Sequence, residues 1–105
     1  MSRQYLPLEV PIFGKMYAVK EVSPCLDDDG NEVDGTTCNK TFTIEVDSKL
    51  STELKIHTLI HEMGHAMIYR TSIQQTQIHS EVEEIIVNNY ATMMMEVFRL
   101  QLRRK

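Results

Sequence analysis

Apolar positions divide this chain into two halves of different period. From Gln4 to about Asp47 their pattern favours strands, and after Asp47 they recur at helical spacing. Leu6-Pro7-Leu8-Glu9-Val10-Pro11-Ile12 alternates in part, and its prolines suit only an edge or irregular strand. Phe13-Gly14-Lys15 is a turn signal. Met16 to Val22 then reads as a strand that Ser23-Pro24 ends. Cys25 to Gly35 holds Asp27, Asp28, Asp29, Gly30, Asn31 and Asp34, which is loop chemistry. Thr41 to Asp47 alternates most cleanly, with Phe42, Ile44 and Val46 on one face.

The helical half opens at Ser51, a fair N-cap, with Glu53 in the favourable first turn. Leu54, Ile60, Met63 and Met67 carry the helical period to about Arg70. Thr71 to His79 is mostly polar and aperiodic, hence a connecting loop. Ser80 and Glu83 form a capping box ahead of a second helix through Ile86, Tyr90, Met94 and Val97, which ends in basic residues. The expected architecture is α+β: a small antiparallel or mixed sheet, then two helices, in one compact domain over residues 1–105.

At 42% hydrophobic and 25% charged residues, the chain has a globular composition. Its net charge of -4 argues against nucleic-acid binding, because phosphate contacts need clustered cations. No apolar run has the length of a membrane span and the N-terminus shows no signal-peptide pattern, so a cytoplasmic location is expected. Cys25 and Cys38 flank the acidic loop and are expected to be free thiols. Asp27-x-Asp29-Gly30-Asn31 resembles the start of a calcium loop. It lacks the later bidentate glutamate and the flanking helices, so it reads as a solvated turn.

The distinctive chemistry lies on the first helix, in His61-Glu62-Met63-Gly64-His65. Histidines four apart stand one turn above one another on a helical face, so both imidazoles can reach one cation. Glu62 sits one step round the helix, where it can take a proton from a water that zinc has brought to a pKa of about 7. A catalytic zinc needs a third protein donor. The second helix offers Glu81, Glu83 and Glu84, and His79 precedes it. Glu83 is the capping-box residue and is expected to serve the Ser80 backbone, while Glu81 shares its face with Asn88 and points to solvent. Glu84 lies on a stripe with Val87, Ala91, Met94 and Phe98, where a carboxylate is costly unless it is paired. Glu83 also heads a partly apolar face, so periodicity alone does not separate these two. His57 extends the histidine stripe, but the span from His57 to His65 is about 12 Å of helix, too long for one ion to bridge.

The run Thr58 to Ala66, followed by Glu84-Ile85-Ile86-Val87-Asn88-Asn89-Tyr90-Ala91, resembles gluzincin-type zinc metallopeptidases. It is most similar to the compact ImmA/IrrE-like group and the small phage metallopeptidases. Phage-type members place a ligand glutamate seven residues before a small residue, the interval from Glu84 to Ala91. The similarity runs from Ile12 onward and includes the glycine-cysteine stretch that leads into a strand, here Gly35 to Val46.

The resemblance implies a zinc ion held by His61, His65 and Glu84, with Glu62 as general base and a protein or peptide as substrate. It also implies a cytoplasmic setting, that of the host if the chain is phage-encoded. Where many phage-type members carry an aspartate four residues after the ligand glutamate, this chain has Asn88. Tyr69 and Tyr90 are the candidates for steadying an oxyanion. The strand Thr41–Asp47 is the expected edge for a substrate peptide. The alternative function is a noncatalytic zinc-stabilised binding or regulatory module.

Overall fold

The chain begins as a hairpin. Strand β1 (Glu9–Ile12) turns into β2 (Lys15–Val22) through Phe13 and Gly14, with φ of 46° and 83°. Positive φ at both positions is the geometry that a two-residue hairpin needs to match strand twist. Glycine adopts it freely, and Phe13 does so at some cost. The computed structural model describes residues 6–70 and 80–103, with side chains over 6–70 and 81–95.

Two further strands, β3 (Gly35–Cys38) and β4 (Thr43–Asp47), complete a four-stranded sheet of order β1-β2-β4-β3. β2 pairs with β4 in parallel, and the two outer pairings are antiparallel. Helix α1 (Thr52–Arg70) packs on β1, β3 and β4, and helix α2 (Ser80–Arg103) packs on α1. The fold is therefore α+β, a mixed sheet followed by two helices, as the hydrophobic pattern predicts.

Strand alternation sets the core. Val10, Ile12, Tyr17, Val19, Ile44 and Val46 turn one face of the sheet towards α1 and bury against Leu59 and Ala66. Each fully buried aliphatic side chain of this kind contributes about 1.5–3 kcal/mol. Phe42 falls just before β4 with φ 54° and covers the edge of Tyr17, with ring centroids 5.6 Å apart. Ser51 caps α1, its hydroxyl accepting a hydrogen bond from the Leu54 amide at 3.3 Å.

Three expectations change. Gly35–Cys38 is a strand, although Gly-Thr-Thr-Cys carries no apolar alternation to reveal it. It takes the outer position, so β4, expected as the free edge, is flanked on both sides by β2 and β3. The expected apolar stripe of α1 is also incomplete: Leu54 is 53% exposed, while Lys55, Thr58 and Glu62 are buried. The helix is covered by the sheet and by α2, so its buried surface is wider than one stripe and takes in polar groups that find partners. Lys55 Nζ meets Glu21 Oε1 at 2.7 Å, with side chains only 7% and 6% exposed. Removing one partner from such a buried pair costs about 3–5 kcal/mol.

The acidic loop is closed by its own amides. Asp27 Oδ1 accepts from the backbone of Asp29 and of Asn31, both at 2.9 Å. Cys25 is buried and Cys38 exposed, and both are free thiols. No described helix is long and apolar enough to cross a membrane. The expected loop Thr71–His79, with the candidate donor His79, lies outside the described residues, as do the side chains of Ser80, Val97 and Phe98.

Candidate metal centre

Close approach of the helices assembles the site. Gly64, in the middle of α1, faces Val87 on α2, and a Cβ at that position would stand 3.1 Å from Val87 Cγ1. Glycine costs about 1 kcal/mol in a helix interior relative to alanine, so its use here is a packing requirement. Val87, Ala91 and Met95 form the buried stripe of α2, and Glu84 lies one turn before Val87 at the rim of that stripe.

Three donor atoms meet there. His65 Nε2 lies 2.7 Å from Glu84 Oε1 and 3.2 Å from His61 Nε2, and His61 Nε2 lies 3.6 Å from Glu84 Oε1. A tetrahedral zinc site with donors near 2.1 Å has edges of roughly 3.4 Å, so these atoms need shift only by tenths of an ångström to surround an ion. Two neutral imidazoles and a carboxylate are a donor set that suits zinc. His61, His65 and Glu84 could thus hold a metal ion.

Glu83 reaches across to α1. Its Oε2 lies 2.7 Å from His65 Nδ1, so it orients the ring from behind. A carboxylate on the far nitrogen fixes the tautomer that leaves Nε2 as a ligand and raises its basicity. His65 is thereby gripped at both nitrogens by adjacent residues of α2. Burial by itself favours the neutral imidazole. The Glu83 hydrogen bond, with the charges of Glu62, Glu84 and Glu83, outweighs it and holds the His65 pKa above the usual histidine range.

Glu62 is 8% exposed and is tied to β3, where Thr37 Oγ1 lies 2.6 Å from its Oε1 and 3.2 Å from its backbone carbonyl. Thr37 has no signal in the sequence, because the contact joins residues 25 apart on a strand that lacks alternation. Gly35 makes the approach possible, since a Cβ there would meet Thr58 Cγ2 at 2.6 Å and Glu62 Cγ at 3.2 Å. A cleft of about 500 Å³ runs beside these groups, lined by Asp34, Gly35, His57, His61, Glu62 and Asn88 among others. A cavity of about 590 Å³ on the opposite face of the sheet, between Lys20, Thr36, Cys38 and Glu45, shares none of the metal donors.

The remaining candidates separate cleanly. Asn88 and His57 line the cleft. Glu81 is exposed and stands outside the donor group. Tyr69 and Tyr90 do not line the cleft: Tyr69 is exposed at the end of α1, and Tyr90 borders an apolar groove with Met63 and Met67. Neither tyrosine is brought to the place expected of an oxyanion donor. No family model matches the chain, and no curated protein or solved structure matches it.

Proposed function

We propose that this chain is a zinc-dependent metallopeptidase of gluzincin type, with narrow specificity and a cytoplasmic site of action. The observation that carries the reading is the meeting of His61, His65 and Glu84 from two helices beside the buried carboxylate of Glu62. When bound, zinc supplies a Lewis acid that brings water towards ionisation at neutral pH and polarises a peptide carbonyl. His61, His65 and Glu84 would hold it, and Glu83 would keep His65 in the ligating tautomer. Glu62 accepts the proton of the attacking water and returns it to the leaving amine, so it ends the cycle as it began.

Strand β3 replaces β4 as the docking edge. The bond from the Asp47 amide to the Asp34 carbonyl, 2.8 Å, sets the phase of the β3–β4 ladder. Alternate residues of an antiparallel pair face their partner, so Gly35 and Thr37 turn their backbone groups outward. An extended peptide paired there would lie along the cleft and pass Glu62. The reading as a noncatalytic zinc-stabilised module is favoured by one observation, the absence of Tyr69 and Tyr90 from the cleft.

Glu62→Gln tests the choice. Zinc-loaded wild type should cleave members of an internally quenched peptide library, and the variant should keep its zinc and lose cleavage. A variant that still cleaves, or that loses zinc as well, contradicts the role given to Glu62.

A further inference from the structure

Thr37 occupies a singular place, because its backbone faces the docking edge while its side chain holds the general base. Its hydroxyl carries a single proton. The shorter contact, 2.6 Å to Glu62 Oε1 against 3.2 Å to the Glu62 carbonyl, directs that proton to the carboxylate. Bonds from a hydroxyl to an ionised acceptor are short and strong.

We propose that Thr37 is a positioning residue: it anchors Glu62 Oε1 to β3 so that Oε2 remains free to meet the water. The inference rests on the peptidase reading for its catalytic meaning, and on the Thr37–Glu62 geometry alone for its physical content. Two features of the structure converge on it. Gly35, two residues earlier on the same strand, is kept without a side chain where a Cβ would press on Glu62 Cγ at 3.2 Å. Glu62 is also 8% exposed, so its side chain has little room to swing away from Thr37. A peptide pairing with β3 therefore engages the same residue that aims the base. Docking and proton transfer share one anchor.

The consequence is a split between kinetic constants. Thr37→Val keeps the backbone groups that would grip a substrate strand and removes the hydroxyl. It should lower kcat by about 10–100-fold, the usual cost of losing such a supporting hydrogen bond. KM should stay within about twofold, and Thr37→Ser should restore the rate. A second readout needs no turnover. Acetohydroxamate chelates metals that keep an open position, and on this site it would share its acidic proton with the Glu62 carboxylate.

Titrating acetohydroxamate into the cobalt-substituted protein, followed by the visible cobalt bands, should show binding weakened about tenfold or more in Thr37→Val, Thr37→Ala and Glu62→Gln alike. Thr37→Ser should bind as the wild type does, with cobalt content equal throughout. Equal binding across the series, or none to the wild type, overturns the proposal, and Thr37→Ala keeps the test open should the valine variant misfold. If the hydroxamate series behaves as expected while no library peptide is cleaved, the peptidase reading falls and the role of Thr37 stands. If peptides are cleaved and the hydroxyl-free variants retain wild-type kcat, the role of Thr37 falls and the peptidase reading stands.

Discussion

Both ring nitrogens of His65 face carboxylates at 2.7 Å, Nδ1 towards Glu83 and Nε2 towards Glu84. In the metal-free chain this favours the imidazolium, whose two N–H groups satisfy both acceptors. The raised pKa means that the stabilising contribution is fully present below the unfolded value and is lost as pH rises through the folded one. A metal ion competes with that proton, so ion affinity falls as pH falls. Glu83→Gln keeps an acceptor near Nδ1 and removes the charge. At pH 8, where the proton competes less than at lower pH, zinc affinity should drop about tenfold, the lower end for a supporting carboxylate. At pH 6 the gap should narrow, because the wild type must first expel a better-held proton. Chelator-competition titrations at the two pH values check this. A gap that widens at the lower pH would show that Glu83 does not act through the ring.

Strand β3 does its work through what its residues omit. Gly35 lets the strand press on α1, and Gly35→Ala would place a methyl group 2.6 Å from Thr58 Cγ2 and 3.1 Å from the Glu45 carbonyl. Overpacking of this kind costs about 1–3 kcal/mol, so denaturant unfolding of the variant should show that loss. An unchanged midpoint would contradict the tight β3–α1 contact. The elements differ in how far their sequences reveal them. β4 is legible because Ile44 and Val46 alternate with polar residues, β2 because Tyr17, Val19 and Val22 are strand formers, and the Ser51 cap is legible from local chemistry. β3 is not, because its inward positions are a glycine and a threonine whose partner is polar. The buried surface of α1 is wider than its apolar stripe for the same reason: Lys55 and Glu62 are buried beside partners on the sheet, Glu21 and Thr37, far away in sequence.

At the scale of the whole molecule, a sheet from the first half and two helices from the second meet along α1, and the site lies where all three contribute. His61 and His65 were legible from spacing, since a helix turns four residues into neighbours. Glu84 and Glu83 were not separable from each other by periodicity, because adjacent residues both reach the facing helix and only the docking angle assigns one to Nε2 and the other to Nδ1. A chain of 105 residues buries a limited core, so an ion that ties α1 to α2 would also stabilise the fold.

The most direct measurement is the metal content of purified wild type and Glu84→Ala after equilibration with limiting zinc. One zinc ion per wild-type chain and its loss from the variant is the predicted result. Equal zinc in both proteins would contradict the convergence of α1 and α2 on a shared ion.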